Sequence, residues 1–314
     1  MKTLSWVVVG LMLVEATLRA QTYSVIYYFT NSALGTPRAG VVVSGNTIYG
    51  TTSSEDRATG GGVFKLNADG TGYFAFNSGV YGANYAEGPI LNGNVVYGLV
   101  TGQFFTAYTD VTNYFFGGNN FPGTTDPVLC GTNLYWINGN AIVGCSTSGN
   151  NAFTLRSFSG IHDGSYPEAG MVVAGRTLYG TAYSGGTNGW GTVFKINPDG
   201  TGYATLYGFT NTPDGANPAA DLIVSGGILY GTTEHGGSAG LGTVFAISTN
   251  GTGYTILHSF TGSPDGANPE AGLLRLGNTV YGTTYAGGSA EYGTVFEIGT
   301  TGTDYAVLHS FQGY

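Results

Sequence analysis

The chain has 314 residues, a formal net charge of −9 and only 9% charged residues, whereas ordinary globular domains carry about a quarter. It contains 56 glycines, 23 tyrosines and 17 phenylalanines. This aromatic content excludes an intrinsically disordered chain, and the acidic balance argues against a nucleic-acid partner, which would need a basic face. Because valine, threonine and tyrosine are common strand formers, the composition predicts an all-β protein.

The N-terminus has the pattern of a secretory signal peptide. Lys2 precedes an apolar run at residues 4–14, which is too short to cross a bilayer as a helix, and a Leu-Arg-Ala sequence at 18–20 offers a cleavage site. We therefore expect residues 1–20 to be removed. Residues 21–314 should form a single domain that is secreted or held at the cell surface. No later stretch is apolar enough to predict a transmembrane segment.

The rest of the chain is a tandem repeat with a period near 50 residues. In the last three copies the marker tyrosines are 51 residues apart, and three earlier copies precede them. A fixed period of this length indicates a repeat architecture. Repeats 1 to 6 are marked in chain order by Tyr49, Tyr97, Tyr135, Tyr179, Tyr230 and Tyr281.

Each repeat is predicted to contain four strands, A to D. In repeat 6 a Gly-Asn-Thr turn separates strand A, at 271–276, from strand B, at 280–284. A glycine-rich loop at 285–292 leads to strand C at 293–298, and a tight turn leads on to strand D, which in repeat 4 spans 203–209. Four short strands per period are typical of a β-propeller, so the predicted fold is a six-bladed β-propeller.

Two features of the pattern leave alternatives open. Seven D-type segments accompany six A-B-C sets, so either residues 22–29 complete the last sheet or residues 305–311 do and the N-terminal segment is an appendage. Cys130 and Cys145 are predicted in strands A and C of repeat 3, on either side of strand B. Two strand spacings separate them by about 9–10 Å, beyond the roughly 7 Å that a disulfide spans. Two buried free thiols are therefore predicted rather than a bridge.

The D-to-A and B-to-C connections of a four-stranded meander lie at one end of the sheet, which we call the long-loop face. Long B-to-C loops occur in repeats 1, 4, 5 and 6, and loops on a rigid scaffold commonly carry binding residues. The repeated acids of the Asp-Gly connections could bind calcium or sugar hydroxyls, or simply cap turns. The aromatic rings could stack on sugars or pack between blades. The candidate ligand-binding residues are Asp163, Asp214, Asp265, Asn217, Asn268, Tyr183, Trp190, His235, Tyr285 and Tyr292.

No catalytic residue is assigned from the sequence. Residues 236–240 match the Gly-x-Ser-x-Gly pattern of hydrolases, with His235 adjacent, but a nucleophile elbow needs a strand–turn–helix context that this repeat lacks. The acids recur in several repeats, which favours a structural or binding role over a single active site. The alternative is a glycan-active hydrolase or lyase that uses carboxylates on the long-loop face. No cofactor is predicted, and calcium is the one ion that the repeated acids would suit.

The pattern LYGTT…GG…GTVFKI…DGTGY…LHSF resembles the GloVer tandem repeat of exported bacterial proteins of the choice-of-anchor type. Residues 163–311 carry it most closely, as segments 178–181 (LYGT), 191–197 (GTVFKIN) and 257–260 (LHSF) illustrate. The resemblance implies export and attachment at the cell surface, and it implies no catalytic residues. We therefore expect an extracellular or cell-surface binding or structural module whose partner is a glycan or a surface protein.

Overall fold

The computed structural model describes residues 25–29, 36–37, 39–53, 61–77, 87–100, 103–110, 114–120 and 125–313. The predicted signal peptide and the long loop of repeat 1 lie outside these ranges. Every regular element within them is a β-strand, which confirms the all-β class. Among the described residues, no helix is long and apolar enough to cross a membrane.

The chain divides into two compact units, which are described separately. The N-terminal unit comprises Met1–Pro127 and Thr147–Asn150, and the C-terminal unit comprises Val128–Ser146 and Asn151–Tyr314. Repeats 1 and 2 belong to the first unit, and the strands of repeats 3 to 6 belong to the second. In the described ranges each repeat forms one four-stranded antiparallel sheet with its strands in chain order, as predicted.

The N-terminal unit contains the sheets of repeats 1 and 2. Repeat 1 supplies β1 (Val42–Ser44), β2 (Thr47–Thr52), β3 (Gly62–Asn67) and β4 (Phe74–Asn77), and repeat 2 supplies β5 (Ile90–Asn92), β6 (Val95–Val100), β7 (Gln103–Tyr108) and β8 (Tyr114–Asn120).

The C-terminal unit contains four such sheets and one extra pair of short strands. In repeat 6 strand A pairs with strand B only over residues 274–276, beside the turn, and is therefore shorter than the predicted 271–276. Repeat 3 supplies β9 (Val128–Cys130), β10 (Asn133–Asn138), β11 (Ala141–Ser146) and β12 (Phe153–Ser157); repeat 4, β13 (Val172–Ala174), β14 (Thr177–Ala182), β15 (Thr192–Ile196) and β16 (Ala204–Gly208); repeat 5, β17 (Ile223–Ser225), β18 (Ile228–Thr233), β19 (Thr243–Ser248) and β20 (Thr255–Ser259); repeat 6, β21 (Gly266–Ala267), β22 (Leu274–Leu276), β23 (Thr279–Thr284), β24 (Ala286–Gly287), β25 (Thr294–Gly299) and β26 (Ala306–Ser310).

A glycine in strand B makes room for an aromatic ring from strand C. Gly231 pairs with Phe245 across β18 and β19, and a Cβ atom on Gly231 would lie 2.7 Å from the Phe245 ring. Such an approach is too close for a real side chain, so the site accepts only glycine without repacking. This explains why glycine follows the marker tyrosine. The same close pairing occurs at Gly50–Phe64, Gly98–Phe105, Gly180–Phe194 and Gly282–Phe296.

The hydrophobic core lies between neighbouring sheets of a unit. In the C-terminal unit three clusters join repeats 3 to 4, 4 to 5 and 5 to 6, and in the N-terminal unit one cluster joins repeats 1 and 2. Each repeat therefore depends on a neighbour to bury its apolar side chains, as expected of a repeat protein. At the C-terminal seams the phenylalanine after strand D meets the strand C phenylalanine of the next repeat, as Phe158–Phe194, Phe209–Phe245 and Phe260–Phe296, with ring centroids 5.1, 5.4 and 5.2 Å apart.

The two cysteines are free and buried, which confirms the prediction of unpaired thiols. Cys130 lies in β9 and Cys145 in β11, and the intervening β10 pairs with both strands. Burial raises the pKa of Cys145 to about 11 and also raises the pKa of Cys130.

The structure distinguishes between the two alternatives for the surplus D-type segment. Strand β26 pairs with β25, so the C-terminal segment completes the sheet of repeat 6. Residues 25–29 are not in a strand; instead Tyr27 stacks on Tyr73 and Phe29 packs edge-on against Phe64, both in repeat 1.

Candidate functional site

The long-loop face forms in repeats 4 to 6 because the two connections at this end of each sheet pair with each other. In repeat 5 the backbones of Ala216 and His235 exchange two hydrogen bonds of 2.8 and 3.0 Å. Ser165 and Ser184 make the same bridge in repeat 4, and β21 pairs with β24 in repeat 6. The two families of loops therefore share one end of the sheet, as predicted, and are tied to it by backbone hydrogen bonds.

The acids of the Asp-Gly connections are directed into the fold. Asp163 and Asp214 are buried, and Asp265 is half-buried. The Asp214 carboxylate accepts hydrogen bonds from the backbone and hydroxyl of Thr210, at 3.0 and 2.7 Å, which is a turn-capping role. Asp163 and Asp265 cap the equivalent turns. In the described part of the chain no three His, Cys, Asp or Glu side chains are placed to hold a metal ion, so the calcium hypothesis gains no support here.

Each of these acids also binds a residue of the preceding strand D. Asp265 Oδ2 lies 3.0 Å from His258 Nε2, and Asp265 also accepts a hydrogen bond from the Tyr305 hydroxyl. Burial alone would raise the pKa of Asp265, but the hydrogen bonds from His258 and Tyr305 lower it to about 2. Arg156 holds Asp163 at 2.8 Å, and Tyr207 holds Asp214, in the same manner. The three carboxylates therefore fasten strand D to the loop that follows it.

Asn217 and Asn268 connect neighbouring repeats. The Asn217 backbone N–H donates to Trp190 O (2.9 Å), and its side-chain Nδ2 donates to Tyr183 O (3.1 Å). Asn268 repeats this arrangement one repeat later, on Leu241 and Glu234. Both asparagines have positive φ, 58° and 53°, a conformation that asparagine tolerates better than most residues. Each asparagine therefore hydrogen-bonds the B-to-C loop of the preceding repeat, and we call these two residues the latches.

The latches align one residue of each B-to-C loop in a row: Tyr183 in repeat 4, Glu234 in repeat 5 and Tyr285 in repeat 6. The Tyr183 hydroxyl donates to Glu234 Oε2 at 3.1 Å. Burial and this carboxylate raise the pKa of Tyr183 to about 12, and the charges of Glu168 and Glu270 add to the effect. The side chain of Tyr285 is 72% exposed. The row therefore places a glutamate between two tyrosines at equivalent positions, and the charges of Glu168 and Glu270 act on the first of them.

A second row of equivalent positions lies at the other end of the same loops and contains Trp190, Leu241 and Tyr292. Trp190 is 41% exposed and Tyr292 is 61% exposed. A contiguous exposed apolar patch is more informative than apolar residues exposed singly, because such patches commonly mark binding surfaces. The two rows together concentrate exposed aromatic surface on the long-loop face of repeats 4 to 6.

The Gly-x-Ser-x-Gly segment of repeat 5 does not assemble a nucleophile and base. The hydroxyl of Ser238 lies 3.0 Å from the Ser259 hydroxyl, and the Ser238 backbone N–H donates to the same oxygen. His235 is about half exposed, and its Nδ1 lies 3.5 Å from Glu234 Oε1, too far for a good hydrogen bond. His235 is thus associated with the Glu234 end of the loop rather than with the serine.

Sequence reasoning did not single out Glu234. Its only signal is that an acid replaces the tyrosine found at this position in repeats 4 and 6.

A protein-family model described as the Gloeobacter/Verrucomicrobia repeat matches residues 123–314, more than half of the chain. The chain belongs to this repeat family. The match confirms the GloVer resemblance and covers repeats 3 to 6. Repeats 1 and 2 lie outside the match, yet they form the same four-stranded sheets.

Comparison with curated proteins gives no match. Among solved structures, the chain is similar to one described as the crystal structure of a nidogen/laminin complex. The two are 13% identical, the alignment covers 81% of this chain and 91% of the other, and the TM-score is 0.49.

Proposed function

We propose that the six sheets of this Gloeobacter/Verrucomicrobia repeat protein are blades of a β-propeller, and that the protein is exported and acts as a binding module outside the cell or at its surface. One sheet per repeat, in chain order, and a period near 50 residues support the propeller. The basic and apolar N-terminal pattern supports export.

The proposed ligand is a carbohydrate bound on the long-loop face of repeats 4 to 6. The observation that carries this proposal is the Tyr183–Glu234 pair, which is aligned with the exposed ring of Tyr285. Flat aromatic rings offer an apolar surface with a polar edge, and a carboxylate accepts hydrogen bonds from hydroxyl groups. The scarcity of charge in the chain suits a ligand that is recognised by stacking and hydrogen bonding rather than by ion pairing.

A glycan array probed with residues 21–314 tests this proposal. We expect binding that is weakened by Trp190→Ala, by Glu234→Gln and by Tyr285→Ala. Tyr114→Ala, which removes an exposed aromatic ring from β8 in repeat 2, is the matched control and should leave binding unchanged. Binding lost only on chelation would favour a calcium-dependent site, and a protein that binds no glycan would contradict the carbohydrate proposal.

A second candidate function is a glycan-active hydrolase or lyase, and one observation in the N-terminal unit favours it. Burial and the nearby Asp126 raise the pKa of Glu87 to about 7, a value that suits a general acid at neutral pH. Asp126 is held in place by a 2.5 Å hydrogen bond from Gly88 N. Release of reducing ends from any bound glycan, abolished by Glu87→Gln with binding retained, would support the enzyme. Binding without turnover would support the module.

A further inference from the structure

Tyr166 holds a backbone conformation that its side chain does not favour. It is the counterpart in repeat 4 of the latches Asn217 and Asn268, and its φ of 51° is close to their values of 58° and 53°. Asparagine enters this left-handed region readily, whereas a bulky aromatic residue does so only with strain. The fold therefore requires the same conformation in all three repeats, and repeat 4 adopts it with an unfavourable residue.

The side chain of Tyr166 is not used to hold the fold together. Its hydroxyl has no hydrogen-bond partner among the described residues, its ring contacts no other aromatic ring of that part of the chain, and the residue is 65% exposed. The backbone makes the polar contacts instead: the Tyr166 N–H donates to Asn140 Oδ1, and its carbonyl accepts from the Tyr183 N–H, both at 2.9 Å. No hydrogen bond or ring contact of the side chain therefore offsets the strain.

The short hairpin of repeat 3 explains why no latch is needed at position 166. A latch binds the B-to-C loop of the preceding repeat, but in repeat 3 strands β10 and β11 are joined by only Gly139 and Asn140. Asn140 makes the link to repeat 4 from the opposite direction, through its own side chain. Repeat 3 thus has no long loop for residue 166 to bind, and it adds no residue to the row that the B-to-C loops of repeats 4 to 6 form.

Tyr166 extends this row by one place. A latch side chain reaches back to the row residue of the preceding repeat, as Asn217 Nδ2 reaches Tyr183 O at 3.1 Å. Because Tyr166 has a similar φ at the equivalent position, its side chain starts in the same direction, towards repeat 3, to which its N–H is also bonded. Its ring therefore lies at the end of the row where repeat 3 has no member.

We propose that Tyr166 is a sugar-binding residue at the repeat 3 end of the row, and that the carbohydrate is an oligosaccharide chain rather than a single sugar. This inference rests on the carbohydrate proposal above. The row then runs from Tyr166 through Tyr183 and Glu234 to Tyr285, and the rings at its two ends are 65% and 72% exposed. Sheets packed face to face lie about 10 Å apart, so residues two repeats apart exceed the reach of one sugar ring.

A length series of chitin-type and cellulose-type oligosaccharides, from disaccharide to hexasaccharide, tests the inference by calorimetric titration. The unaltered protein should bind the hexasaccharide more tightly than the disaccharide. Tyr166→Asn removes one stacking ring, so it should weaken hexasaccharide binding about three- to tenfold and leave disaccharide binding unchanged. The same variant should melt at a higher temperature, because asparagine suits the φ of this position. Tyr166→Phe keeps both the ring and the strain, and as the matched control it should alter neither property.

A Tyr166→Asn variant that binds every chain length as the unaltered protein does would overturn the inference and leave the carbohydrate proposal standing. An equal loss at all lengths would also overturn it, since Tyr166 would then belong to the centre of the site. Absence of binding to both series contradicts the oligosaccharide assignment, and a blank glycan array as well would remove the carbohydrate proposal with it. If Tyr166→Asn does not fold, Tyr166→Gly replaces it, because glycine also accepts this φ.

Discussion

The ring of Tyr207 lies flat on the ring of Tyr254, with 3.8 Å between centroids and 5° between planes. His258 stacks on Tyr305 in the same way one repeat later, at 3.6 Å and 8°. Tyr207 also donates a hydrogen bond to Asp214 in the following loop, and His258 is hydrogen-bonded to Asp265 in the same way. One position therefore accepts chemically different side chains, provided that they are flat and can donate a hydrogen bond.

The imidazole version of this contact makes the seam between repeats 5 and 6 sensitive to acid. The pKa of Asp265 is lowered from 3.8 to about 2, so its ionised form is preferred in the folded state. The resulting stabilisation is fully present above about pH 4 and is lost as the pH falls towards 2, an effect of about 2 kcal/mol. Urea unfolding from pH 7 down to pH 2 should show a steeper loss for the unaltered protein than for Asp265→Asn. Parallel curves would contradict this prediction.

Gly231→Ala should destabilise the protein although it adds a single methyl group. The new Cβ would meet the Phe245 ring and the Leu222 side chain, each at 2.7 Å, in the core between repeats 4 and 5. Overpacking of this kind costs about 1–3 kcal/mol, which chemical denaturation measures. Gly272→Ala is the control, because its nearest neighbour would be at 3.8 Å, and its effect should stay within about 0.5 kcal/mol. Equal effects of the two substitutions would refute the steric explanation.

Two phenylalanines at equivalent positions should respond very differently to truncation. Phe260→Ala empties a fully buried site and should cost about 3–5 kcal/mol. Phe311→Ala removes a residue that is 42% exposed, so it should cost far less, about 0.5–1 kcal/mol. Denaturant midpoints measured at low protein concentration make the comparison. A large loss for Phe311→Ala would mean that this ring is already covered within the monomer.

The two thiols should be inert in the native protein. Cys130 and Cys145 are buried, and burial raises the pKa of Cys145 to about 11, so little thiolate is present at neutral pH. A maleimide or disulfide reagent should label neither residue in native buffer and both in denaturant, without prior reduction. Labelling of the denatured protein that requires a reductant would contradict the free-thiol assignment.

The local architecture could be predicted because each repeat carries its own signals. The Gly-Asn-Thr turn predicted where strand A ends and strand B begins in repeat 6: β22 ends at Leu276, as predicted, and β23 (Thr279–Thr284) begins one residue before the predicted start. The prediction that both loop families share one end followed from strand direction alone. The pairing of Ala216 with His235 confirms it.

The contacts between repeats could not be predicted in the same way. Tyr207 and His258 are unlike residues at one position, so the sequence shows variation where the structure shows a shared stacking site. The choice between ligand binding and turn capping for Asp214 depended on a partner, Tyr207, in the preceding strand. Glu234 was overlooked for the opposite reason: it breaks the repeat, and a search for recurring residues passes over it.

The placement of Phe209 and Phe260 in the core of the following repeat makes the number of repeats an adjustable quantity. Between repeats 4 and 5 and between repeats 5 and 6, a flat ring and a phenylalanine of one repeat meet a tyrosine and a phenylalanine of the next, so a whole 51-residue period could be inserted or deleted between repeats 5 and 6 without a new kind of contact. A cut made in the middle of a period would instead separate strand D from its own sheet. Lengthening or shortening of this array should therefore preserve its packing only in steps of one complete period.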